Sequence, residues 1–131
     1  MEPFIKRLCS RLNCMEAIEE WLPEANHTVN YWLEIIVGFR DEEYIERFEV
    51  VILTEDSVRH FNLKRTPPKR CLVVRGEYEW SKVVSLIQNV LDSCPNDDHL
   101  EFCEAVGTHF KWDDWAVSKK YVKSDGSNKT A

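Results

Sequence analysis

Residues 29–39 alternate along the chain: Val29, Tyr31, Leu33, Ile35, Val37 and Phe39 fall on one side of an extended backbone, the pattern of a half-buried strand. Residues 44–53 repeat the signature with β-branched and aromatic side chains, and Phe48, Val50 and Ile52 form their inner face. Only the polar residues 40–43 separate the two runs, which predicts an antiparallel hairpin. Residues 4–9 predict a first strand, and residues 71–74 a short strand ended by Gly76. Residues 110–115 alternate again, as a last strand or an extended tail packed on the sheet. The period then changes. Over residues 81–91, Val83, Val84, Ile87, Val90 and Leu91 make the stripe of an amphipathic helix that Pro95 breaks. A second helix is predicted over about residues 98–109, starting near Asp97 or Asp98, with Leu100, Cys103 and Val106 facing inward.

Two shorter helical segments are expected as well. Asn13 and Glu16 resemble a capping box ahead of Met15, Ile18, Trp21 and Leu22, and Pro23 stops that helix. Thr54 is a plausible N-cap for a turn through Val58 and Phe61. Pro67 and Pro68 then make residues 64–70 a loop. Strands followed by helices, with short segments at the ends, predict an α+β fold: an antiparallel sheet with helices packed mainly on one face. It is expected as a single domain over residues 1–121, with residues 122–131 a flexible polar tail.

Length and composition narrow the class. A chain of 131 residues buries roughly two-thirds of its unfolded surface, enough to fold without disulfides or a structural metal. Its five cysteines (Cys9, Cys14, Cys71, Cys94, Cys103) are odd in number and contain no CxxC pair, which predicts reduced thiols in a cytoplasmic protein. Lys6, Arg7, Arg11, Glu16, Glu19 and Glu20 interrupt any signal-peptide core. No apolar run approaches the roughly 20 residues of a membrane span, so no membrane partner is expected.

The chemistry-bearing residues form no enzymatic motif: GxGxxG, GxxxxGK[ST], GxSxG and HExxH are all missing. Cys94, His99, Cys103 and His109 are the best metal candidates, since His99 and Cys103, four apart, share a helix face. Cys103 and His109 are six apart and match poorly, and Cys103 falls on the predicted core stripe. A Cys/His nucleophile built on Cys71 or Cys103 meets the same objection, because a reactive thiolate needs an open, electropositive site. Neither a metal, a cofactor nor catalytic turnover is therefore expected.

Charge is more informative. Seventeen Lys and Arg against 23 Asp and Glu give a net charge of -6, which argues against phosphate-driven nucleic-acid binding. The charges are segregated. Arg59, Lys64, Arg65, Lys69, Arg70 and Arg75 lie in a stretch, residues 57–76, with no acid. Asp92, Asp97, Asp98, Glu101 and Glu104 lie in a stretch, residues 92–110, with no Lys or Arg. Asp113 and Asp114 follow between Trp112 and Trp115, and a further acidic run, Glu16, Glu19, Glu20 and Glu24, flanks Trp21. Such runs are commonly solvated faces. Acidic patches beside aromatic anchors also suit a basic protein partner.

Residues 32–38 as a strand ending in Gly38, residues 48–54 as a strand ending in Thr54, residues 72–74, the helix at 81–91 and the closing residues 110–115 together resemble the immunity protein 8 family of bacterial polymorphic toxin and contact-dependent growth inhibition systems. The likeness spans roughly residues 29–121. Asp113-Asp114 stands where the family pattern has a Glu and an aromatic, and the Pro67-Pro68 loop is particular to this chain. The resemblance implies a cytoplasmic antidote that binds the C-terminal domain of a cognate toxin, often a nuclease with a basic active-site surface. It implies no catalysis, no cofactor and no direct contact with nucleic acid. The expected toxin-binding residues are Asp97, Asp98, Glu101, Glu104, Asp113 and Asp114, with Trp115 as an anchor, and the acidic residues 16–24 are the second choice. The alternatives are a nucleic-acid-binding module using Arg59 to Arg75 and a small Cys/His-dependent enzyme.

Overall fold

The hairpin predicted from residues 29–53 is the centre of the sheet. A computed structural model of the chain describes residues 2–10, 18–21, 23, 29–60 and 71–113. Among these, β1 (Pro3–Ser10), β2 (Asn30–Phe39), β3 (Ile45–Thr54), α1 (Glu55–His60), β4 (Cys71–Val74), α2 (Trp80–Ser93), α3 (His99–Val106) and β5 (Lys111–Asp113) follow in order. A single 3-10 turn at Ile18–Glu20 precedes β2. Residues 13–17 and 22 of the predicted N-terminal helix, the basic loop at 64–70 and the predicted tail at 122–131 lie outside the described residues, and Trp21 follows the turn without helical structure.

β1, β2 and β3 form an antiparallel meander, and β5 adds antiparallel to residues 47–49 of β3. One pair differs. β4 runs parallel to residues 51–54 of β3, so β4 and β5 share the same edge of that strand. Parallel strands require a long crossover, and α1 with residues 61–70 supplies its length. The fold is thus the predicted α+β type, antiparallel apart from this one pair.

Alternation places the core on one face. Tyr31, Leu33, Ile35, Val37 and Phe39 of β2 and Phe48, Val50 and Ile52 of β3 are all buried. They form one cluster with Val83, Ile87 and Leu91 of α2 and Phe102, Cys103 and Val106 of α3, so both longer helices cover the same face of the sheet. On the opposite face Trp32 is 50% exposed. Phe4 lies across Gly38, where an added Cβ would sit 2.7 Å from the ring.

The inward row of β3 reads Glu46, Phe48, Val50, Ile52, Thr54: apolar in the middle and polar at both ends, yet all five are buried. At the Thr54 end the polarity is satisfied locally. Thr54 Oγ1 accepts from the Val29 amide at 3.0 Å and lies 3.1 Å from Ser57 Oγ, which donates to the Val29 carbonyl at 2.7 Å. The network ties the start of β2 to the start of α1. Thr54→Val keeps the shape but takes the hydroxyl acceptor from a buried amide, and should destabilise the fold by about 1–2 kcal/mol. The check is a lower urea midpoint at unchanged m-value, with Thr54→Ser close to wild type.

Candidate functional site

α3 is positioned by its own first turn. Asp98 is extended at the N-cap, and its carboxylate accepts from the Glu101 amide at 2.9 Å. The helix therefore begins at His99, and at 100° per residue His99, Phe102, Cys103 and Val106 share the inward stripe. Leu100 falls beside that stripe and is 40% exposed, while Phe102, absent from the predicted inner face, is fully buried. Glu101 and Glu104 face solvent, as do Asp97 and Asp98 at the approach to the helix. Four of the predicted toxin-binding residues are thus exposed on one short helix and its cap, next to an exposed leucine. Asp98 and Glu101 also sit at the positive end of the helix dipole, where negative charge is favoured.

The other predicted residues do not join this surface. On β5, Trp112 points inward against Phe48, so Asp113 points to the opposite face of the sheet, paired in register with Arg47. Asp113 is half-buried there, and Arg47 also bonds Glu34 at 3.2 Å. Asp114 and Trp115 lie outside the described residues. In the second-choice acidic run Glu19 and Glu20 are exposed, and Trp21 packs edge-on against Tyr31 and Tyr78. Glu16 and Glu24 lie outside the described residues.

Beneath α3 is a buried polar cluster. Glu46 is only 5% exposed. Its Oε2 lies 2.7 Å from His99 Nε2, and its Oε1 accepts from Trp112 Nε1 at 3.1 Å. The sulfur of Cys103, one turn along α3, is 3.8 Å from the same His99 nitrogen. The edges of Phe39 and Tyr44 pack about the imidazole, at centroid separations of 4.9 and 4.8 Å. His99 Nδ1 is buried and has no hydrogen-bond partner among the described residues. Glu46 thus joins β3 to α3 through His99 and to β5 through Trp112.

This cluster is not a catalytic triad. In a triad the nucleophile and the carboxylate hold opposite nitrogens of the imidazole, whereas here both converge on Nε2. Burial first, then the charges of Glu46 and Glu104, push the Cys103 thiol far up, so it stays protonated at neutral pH. The four-residue metal set weighed from the sequence also separates. His99 and Cys103 meet, but Cys94 caps the end of α2 and His109 is exposed beyond α3. Glu46 takes the third position instead.

Of the basic stretch, Arg75 is exposed and residues 61–70 lie outside the described residues. A cavity of about 400 Å³ opens beside Arg75, between β4 and α2. Its Lys82 is already committed: Nζ donates to the carbonyls of Arg75 and Glu77 at 2.9 and 2.8 Å and pairs with Glu79 at 3.5 Å. That lysine closes the β4–α2 connection.

A family model described as Immunity protein 8 matches residues 8–114, most of the chain. No curated protein and no solved structure matches.

Proposed function

The chain belongs to the Immunity protein 8 family and is on that ground an immunity protein directed against a toxin, and we propose that it inhibits its toxin stoichiometrically, in the cytoplasm, by seating the acidic surface of α3 on a basic site of the toxin's C-terminal domain. The toxin in this reading is a nuclease, whose phosphate-binding surface is positive, and the inhibitor works without turnover. The observation that carries the reading is the exposure of Asp97, Asp98, Glu101 and Glu104 together, in a stretch of sequence with no Lys or Arg. Carboxylates on a short helix and on the turn that leads into it place negative charges side by side, as a phosphate backbone does. Leu100, exposed among them, supplies the apolar contact that charge alone lacks, since isolated exposed ion pairs contribute only about 0–1 kcal/mol each.

The test is stopped-flow association with the C-terminal domain of the cognate toxin. The rate constant should fall about tenfold or more between low and high salt, because screening shortens the reach of the steering field. A salt-independent rate removes electrostatic capture, and an absence of binding removes the reading itself.

A further inference from the structure

The cluster under α3 contains more ligand chemistry than a structural tie needs. Glu46, His99 and Cys103 each offer one atom, and the three atoms lie within 4.8 Å of one another. Two come from one face of a helix at i and i+4, and the third from the inward row of the central strand. All three are thus held by regular backbone. We propose that Glu46 Oε2, His99 Nε2 and Cys103 Sγ form a binding site for a divalent transition-metal ion of the zinc class, with water completing a tetrahedral set.

The donor types fit. Thiolate, imidazole and carboxylate are the ligands zinc takes, at about 2.3 Å to sulfur and 2.0–2.2 Å to nitrogen and oxygen. Tetrahedral coordination at those lengths separates sulfur and nitrogen by about 3.5 Å and nitrogen and oxygen by about 3.3 Å. The observed Nε2–Sγ distance of 3.8 Å is close to the first value. The Nε2–Oε2 distance of 2.7 Å is that of a hydrogen bond, and it opens by roughly half an ångström when an ion replaces the shared proton.

Charge fits as well. A dication with one thiolate, one carboxylate and a neutral imidazole sums to zero, the balance a buried site requires. The thiol proton leaves to solvent as the sulfur binds, and the proton shared by Nε2 and Oε2 is displaced as the ring takes the neutral tautomer protonated on Nδ1. Two outer contacts suit the role, while Nδ1 has no acceptor among the described residues. Trp112 Nε1 holds Oε1 and turns Oε2 toward the histidine, and the edges of Phe39 and Tyr44 fix the ring plane. The His99 side chain is 28% exposed, which leaves a way in from solvent and a place for the water.

Cobalt(II) titration of the reduced full-length protein tests the site, read by the visible and charge-transfer absorption of a tetrahedral cobalt–thiolate centre. One equivalent should bind and be displaced by zinc. Cys103→Ser should abolish the charge-transfer band, and His99→Gln and Glu46→Gln should each weaken binding about tenfold or more. Cys9→Ser, outside the cluster, should change nothing. Circular dichroism confirms that each variant is folded. If Cys103→Ser is not, the partly exposed His99→Gln decides. A protein that gives no cobalt–thiolate band, or one whose cobalt affinity is unchanged by His99→Gln, overturns the proposal. No readout involves the toxin, so a failure here is distinct from a failure of the inhibitory reading.

Discussion

Reversing Glu101 and Glu104 together to lysine should weaken toxin binding about a hundredfold, roughly 2.7 kcal/mol, with most of the loss in the association rate. Both side chains are exposed on α3 and neither contributes to the core, so the fold should survive the change. The cost to the helix itself is a few tenths of a kcal/mol, because Glu101 in the first turn loses a favourable dipole interaction. The binding effect is larger because four units of charge change on one small surface. Each lysine also meets a basic partner as a like charge. Asp98→Asn separates the two roles of that residue, since asparagine caps a helix as well as aspartate does but carries no charge. It should slow association while leaving the melting temperature in place. Asp113→Ala is the comparison on the opposite face of the sheet, and should leave the rate within about twofold. Stopped-flow and titration calorimetry read all three variants. An unchanged affinity for the double reversal would move the interface off α3.

These variants can be chosen because much of the site is local. Asp97, Asp98, Glu101 and Glu104 are neighbours in the chain, and a helix start at Asp98 suffices to bring them to one surface. The same locality explains the strands of the central hairpin, whose alternation over β2 and β3 names their inward residues directly. Leu100 shows where locality stops. Its spacing from Cys103 and Val106 reads as an inner face, but the helix phase is set by Phe102 packing edge-on against Phe39, a contact between residues far apart in the chain. The parallel pairing of β4 was equally out of reach, because residues 71–74 have the same short apolar pattern whichever way they run. Asp113 separates from the α3 acids for a similar reason: its side is decided by Trp112, whose inward placement depends on Phe48 opposite it, a residue far away in the chain.

Glu46 is the residue that sequence reading passed over, although a signal existed. It has the same parity as Phe48, Val50 and Ile52, so an extended chain must turn it into the core. A carboxylate at an inward position is costly unless partnered, and that cost is reason to search for its partners. They lie 53 and 66 residues further along the chain, on elements that meet β3 only in the folded state. The acidic surface on α3 and the buried carboxylate beneath it are consequently linked. His99 faces inward at the start of the helix whose outer face carries the proposed toxin contacts, and Glu46 is what holds it there.

Removing that carboxylate should accordingly have the largest effect on stability of any change considered for this fold. Glu46→Ala leaves the indole N–H of Trp112 without its acceptor and frees His99 from β3, and it opens a small void beside the core. Leaving a buried donor without its acceptor costs about 1–3 kcal/mol, and two donors lose theirs here. His99 keeps some access to solvent and can rehydrate, which lowers the expectation to about 2–3 kcal/mol and a fall in melting temperature of roughly 10 °C. Glu46→Gln should cost only about 1 kcal/mol, because the amide oxygen still accepts from Trp112 and the amide nitrogen can donate to the imidazole. The two variants separate charge from hydrogen bonding. If burial of charge were the feature that mattered, the neutral glutamine would stabilise the fold; if hydrogen bonding is, glutamine lies between wild type and alanine. Urea unfolding at pH 7 distinguishes the outcomes, and equal midpoints for alanine and wild type would show that Glu46 does not tie β3 to α3.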